Sequence, residues 1–281
     1  MIPAPVTRGF LFVGGWVDLL MEQIVNSYKA EKYIFYFLIL LHVFYVFNLS
    51  IYLTQDGPSH LYNSKMLLDY IKNDNTDFYN QFFELNKNIF PNLLQSVILC
   101  SLLLLFDPVI AEKILIALLI ISMPMMFRYV LQKNNPNSIF LSSIIFIFSN
   151  NYFLLYGFYN FQLSIIILLF FIGRFSCYRE NLNYKNSLIL FFILLLLFFT
   201  HPIGYITAVV ILLTETSLIF YDLLINNNEA INREKGRIIT YLLIIAPTML
   251  LFLSFFVSEN SSNNSLFDIT ISKSSILRLI D

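Results

Sequence analysis

Apolar residues dominate the chain in long runs separated by polar breaks. The first run covers 33–53, and others follow at 90–106, 109–131, 138–149, 161–175, 188–199, 205–221 and 238–257. None shows the short alternating segments of a β-barrel, and several approach or exceed the ~20 residues a helix needs to cross ~30 Å of hydrocarbon. The pattern predicts an all-α protein, a polytopic transmembrane helical bundle of about eight spans. It divides into an N-terminal interfacial or cytoplasmic segment (1–32), a transmembrane domain (33–257) and a polar tail (258–281). The apolar stretch at 10–21 is too short to span and is expected to lie in the interface. The tail is expected to begin a further C-terminal region.

The first polar break is the most informative. Pro58 suits the first position of a helix, with Asp56 and Gly57 where caps belong. Residues 58–72 then read as an amphipathic interfacial helix in the first outer loop, with Leu61, Met66, Leu67, Leu68 and Ile71 on its apolar side. Asp56, His60 and Asn63 fall at i, i+4 and i+7, so a helical turn extending back to Asp56 places all three on one polar face. Tyr79, Phe82 and Phe83 are expected as interfacial anchors. Pro91 reads as another helix start, Asp107-Pro108 as a break, and 134–137 as a turn. Residues 150–162 carry no charge but many amides and tyrosines, and a break at 200–204 holds His201.

Composition sharpens this picture. The chain is 58% hydrophobic and 12% charged, against about 25% charged in a soluble domain. A net charge of −1 without a basic block predicts no nucleic-acid partner. Cys100 and Cys177 lie in or beside apolar runs and read as packing residues. Richness in Ile, Phe, Asn and Lys suggests a bacterial source, and with it the inner membrane. Arg128 with Lys133, Arg174 with Arg179 and Lys185, and Arg233 with Lys235 and Arg237 form basic clusters that the positive-inside rule places in the cytoplasm. The 150–162 stretch and His201 then face outward. The Asp56 loop joins them only when one run between 90 and 131 does not cross completely, which is the expectation adopted here.

The run from Gln55 to Asn63, together with Pro91-Asn-Leu-Leu and Ala111-Glu-Lys113, resembles the first-loop region of the GT-C superfamily of membrane glycosyltransferases, which includes the protein mannosyltransferase-like and aminoarabinose transferase-like families. The similarity covers the layout of 33–128. It implies a cavity at the outer leaflet, a polyprenyl-phosphate sugar donor, inversion at the sugar carbon, and a glycan, lipid or protein acceptor served by Asp56 as base or orienter. Many members carry two adjacent acidic residues; here Gly57 stands beside Asp56.

Transfer to a hydroxyl needs a carboxylate near the acceptor proton and donors or positive charge near the leaving phosphate. Asp56 suits the first role, or else caps the following helix. His60 either orients Asp56 or meets phosphate, or makes a plain interfacial hydrogen bond. Asn63, Tyr156, Tyr159, Asn160 and His201 are candidates for substrate binding, against packing and aromatic-belt roles. Lys65 and Lys72 are candidates for a lipid phosphate, against simple solvation. Asp56 and His60 would supply two ligands to a divalent ion, too few to define a metal site. His42 reads as a helix-packing residue. The competing readings are a lipid-linked glycan flippase or transporter, or a polysaccharide polymerase, without Asp56 catalysis.

Overall fold

The computed structural model describes residues 29–72, 76–80, 83, 90–225 and 231–267. Among them the chain is helix and turn, with no strand. The order is α1 (Lys29–Asn48), α2 (Gly57–Lys72), α3 (Thr76–Tyr79), α4 (Leu94–Leu103), α5 (Pro108–Asn134), a 3-10 segment (Pro136–Ile145) running into α6 (Phe146–Ser149) and α7 (Tyr152–Leu155), then α8 (Tyr159–Tyr178), α9 (Tyr184–Thr200), α10 (Pro202–Ile225) and α11 (Ile231–Phe267). The expected interfacial stretch at 10–21, Phe82, and the tail beyond 267 lie outside the described residues.

Among the described residues six helices are long and apolar enough to cross a membrane: Lys29–Asn48, Pro108–Asn134, Pro136–Leu155, Tyr159–Tyr178, Pro202–Ile225 and Asn232–Phe255. Two of the about eight expected spans fall short. The 17 residues of α9 reach about 25 Å, and the 10 residues of α4 about 15 Å, half the hydrocarbon thickness. Phe37, Leu40 and Phe44 on α1, and Leu243 and Leu250 on α11, are more than half exposed. Side chains of this kind in contiguous stripes suit lipid as the surrounding solvent.

Side-chain contacts sort the helix ends into two groups. At one end, Arg128 of α5 pairs with Glu31 of α1, Arg174 of α8 lies over Tyr129 and Phe170, and Arg233 of α11 donates to the Glu180 carbonyl after α8. Arg237 bridges Glu215 of α10 and Glu234. This basic end gathers all three clusters. At the opposite end lie Asp56, the start of α8 and the α9–α10 break. The chain leaves α1 at that end, stays there through α2 and α4, and re-enters by α5. The short α4 therefore removes the parity conflict, because the 90–106 run does not traverse the bundle.

α1 packs on α5 through two buried cations. Lys113 donates to the Leu49 carbonyl at the C-terminus of α1, where a cation meets the negative end of the helix dipole. Arg128 holds both Glu31 oxygens, donates to Ser142 and covers the Phe35 ring at 4.5 Å. Each charge is buried but satisfied, as a low-dielectric site requires. Two cores flank the α5–α8 pair: one around Leu115, Leu119 and Leu154, the other around Phe171, Leu194 and Tyr205.

Local expectations needed correction. Pro91 lies in a bend, not at a helix start, and α4 begins only at Leu94, after Asn92 turns left-handed at φ 65°. Asp107, in contrast, caps α5, its carboxylate accepting from the Ile110 amide. Tyr79 faces inward, not toward an interface, and donates to buried Asp69 at 3.0 Å. Lys65 pairs with the same carboxylate at 2.6 Å. The apolar side expected of α2 is thus half realised: Leu68 is buried, while Ile71 is exposed and Asp69 takes an inner place.

In a cysteine-free background, single cysteines at exposed Ser59 and Asn183 should label from opposite faces of the membrane, Ser59 from outside and Asn183 from inside. Labelling of both by one impermeant reagent would contradict this arrangement.

Candidate functional site

The site is built on a backbone contact between two loops. The Gln55 amide donates to the Leu155 carbonyl and the Asp56 amide to the Tyr156 carbonyl, each at 3.0 Å. This short pairing joins residues far apart in sequence. Two glycines permit it. Gly157 has φ +83°, and a Cβ there would come within 2.8 Å of the Gly57 nitrogen and 3.0 Å of the Asp56 nitrogen. Gly57 faces inward, where a Cβ would meet Thr54 Oγ1 at 2.1 Å, Glu112 Oε1 at 2.2 Å and Tyr159 Oη at 2.6 Å.

Those three groups form a buried polar chain. The Tyr159 hydroxyl donates to Glu112 Oε1 at 2.7 Å. A phenol has one proton, so the Thr54 hydroxyl, 2.8 Å away, is the donor to Tyr159. Glu112 from α5, Tyr159 from α8 and Thr54 ahead of α2 thereby fix three elements beneath Asp56. In the sequence Glu112 figures only within the Ala111-Glu-Lys113 run that carries the resemblance. A carboxylate beside Lys113 within a 27-residue apolar helix was the available signal, since ionisable groups in such helices are costly without a partner.

Above this floor opens a cavity of about 550 Å³. Asp56, His60, Asn160 and His201 line it, joined by Gln95 and by the rings of Phe153, Phe158 and Phe161. Residues from four separated stretches of sequence thus meet in one place. α2 begins at Gly57, so Asp56 precedes the helix and its carbonyl accepts the His60 amide at 3.0 Å. Among the described residues the Asp56 carboxylate has no hydrogen-bond partner, so it does not act as a side-chain cap.

The other candidates divide. His60 sits with its ring 5.7 Å from that of Tyr159. His201 Nδ1 accepts from the Ile203 amide at 3.2 Å, which leaves Nε2–H as its donor toward the cavity. Asn160 lines the cavity, but its amide is already used: Nδ2 donates to the Asn92 carbonyl at 2.7 Å and Oδ1 accepts from the Gln95 amide nitrogen at 3.0 Å. It is a strut between α8 and the start of α4. Asn63 is exposed and away from the cavity, so of the expected three-residue face only Asp56 and His60 meet there. Tyr156 contributes its carbonyl; its ring lies tilted against that of Tyr152 at 4.1 Å, outside the cavity.

Gln95 was not anticipated. Its side chain is 1% exposed, and neither Oε1 nor Nε2 has a partner among the described residues. Such burial costs about 1–3 kcal/mol per unsatisfied group. The sequence signal was one amide in a helix otherwise dominated by Leu, Val and Ile. Lys65 is engaged by Asp69 and Lys72 is exposed; neither lines the cavity, nor does any other Lys or Arg among the described residues. No three His, Cys, Asp or Glu side chains among the described residues are grouped as metal ligands.

Burial lowers the pKa of both histidines below the usual 6.5; for His60 this outweighs the nearby Asp56 charge and a Gly157 backbone hydrogen bond, both of which raise it. Burial thus favours the neutral form of each ring.

Gly57→Ala and Gly157→Ala should each destabilise the fold by about 1–3 kcal/mol, as overpacking does, read as lower melting temperatures in nanodiscs. The histidines set a pH dependence. With folded pKa values below the unfolded one, their contribution is complete above 6.5 and is lost as pH falls through the window beneath it. The melting temperature should drop between pH 7 and 5, and by less in the His60→Gln/His201→Gln double variant. No protein family, curated protein or solved structure compared with the chain matches it.

Proposed function

We propose that the chain is a membrane glycosyltransferase that moves a sugar from a polyprenyl-phosphate donor to an acceptor hydroxyl on the outer face of a bacterial inner membrane. Asp56 is its base or acceptor-orienting carboxylate. The observation that carries this reading is the convergence of Asp56, His60 and His201 on one aromatic-walled cavity at the end of the bundle opposite the basic clusters. Cavities that combine apolar walls with a few converging polar groups are where ligands bind. The Asp56 carboxylate is held by its own backbone and, among the described residues, left without a hydrogen bond, as an acceptor of a substrate proton needs to be.

The step balances as an inverting displacement. The acceptor oxygen bonds to the anomeric carbon as the bond from that carbon to the phosphate oxygen breaks. The hydroxyl proton passes to Asp56, and the electron pair leaves with the polyprenyl phosphate. Among the described residues no Lys or Arg lines the cavity, so the leaving oxygen is served there by neutral donors, with His201 Nε2–H the best placed. The buried Glu112–Tyr159–Thr54 chain acts below, holding the loop that carries Asp56.

Asp56→Asn keeps the shape of the side chain and removes the base. Glycan transfer by membranes containing this variant at normal expression should fall by about 100-fold or more. Wild-type activity would overturn the assignment of Asp56.

A further inference from the structure

We infer that Gln95 grips an uncharged sugar ring in the cavity, its amide pairing with a donor and an acceptor on that ring. The role of the ring as substrate rests on the transferase reading; the binding itself does not.

Three observations lead here. First, the Gln95 side chain is buried, lines the cavity, and has both polar atoms unpartnered among the described residues. Its backbone nitrogen is fixed by Asn160 Oδ1, so the side chain starts from a defined point. Leu94, Val97, Ile98 and Leu99 surround it in α4, and a leucine would fill that place without stranding an amide. A polar group kept there is best explained by what enters beside it, since an amide can donate and accept at once and neighbouring hydroxyls on a sugar match that pattern.

Second, the walls supply aromatic faces. Phe153, Phe158, Phe161 and Tyr159 offer π surfaces to the C–H faces of a sugar ring. Third, the charge is wrong for an anion. Among the described residues Asp56 is the acid of the lining, no Lys or Arg joins it, and burial disfavours the charged form of both histidines. The described lining thus suits the neutral ring of a substrate, with only the leaving oxygen of a linked phosphate reaching His201.

The test uses the full chain in nanodiscs prepared without sugar detergents. Saturation-transfer NMR measures binding of methyl glucoside, methyl galactoside, methyl mannoside and methyl N-acetylglucosaminide, with glucose 1-phosphate and cyclohexanol as charged and apolar controls. At least one glycoside should bind, and more tightly than either control. Gln95→Leu should weaken it about tenfold or more while keeping or raising the melting temperature, which a structural amide would not do. Gln95→Met is the second variant should leucine perturb assembly. Binding of no glycoside, equal binding by Gln95→Leu, tighter binding of the phosphate or of cyclohexanol, or a lowered melting temperature in both variants would overturn the inference. Asp56→Asn should still bind the glycoside, so a failed base assignment and a failed ring site give different results.

Discussion

Two backbone hydrogen bonds hold this molecule's candidate chemistry in place. They run from Gln55 and Asp56 to the carbonyls of Leu155 and Tyr156, and they exist because Gly57 and Gly157 have no side chain. The loop after α1 is further tied by side chains, Thr54 to Tyr159 and Tyr52 to Asn150. With the pairing made, Asp56 faces a cavity whose other walls come from α4, α8 and the α9–α10 break. The buried Glu112 completes the arrangement by binding Tyr159, so that the floor of the cavity and the loop above it share one set of hydrogen bonds.

The rest of the cavity is fastened in the same manner. The Leu93 amide donates to the Phe199 carbonyl at 2.9 Å, joining the entrance of α4 to the end of α9. Asn160 spends its whole amide on Asn92 and Gln95 backbone groups. Walls held through main-chain bonds are less able to adjust than walls held by side-chain packing, and a preorganised site gains from that. Gln95 is the exception, a polar side chain held at its root with its amide unmatched.

Much of the fold was legible in the sequence because long apolar runs leave a helix in lipid as nearly the only way to satisfy the backbone. The 58–72 helix was signalled by Pro58, and the α9–α10 break by His201-Pro202. Asp56, His60, Asn160 and His201 were each marked by polarity in an unusual place, and they do meet. Asn63 failed because spacing alone does not say which members of a face reach a cavity. Tyr156 failed because a backbone carbonyl leaves no trace in residue type. Gln95, Glu112 and the role of Gly157 depend on contacts between distant segments, and a single sequence carries no record of those. The short α4 was foreshadowed only by charge bookkeeping across the membrane.

The paired clamps on α1 carry a further implication. Lys113 and Arg128 stand about 22 Å apart along α5, less than the ~30 Å of a typical hydrocarbon slab. Both ends of the lipid-facing α1 are therefore fastened by charges that sit at or inside the oily layer. Bilayer thickness then becomes a mechanical load on those fasteners: a thicker membrane buries them further, and a thinner one lets water reach them. Lys113 follows Glu112 in α5, so the outer fastener and the floor of the cavity belong to the same turn of one helix.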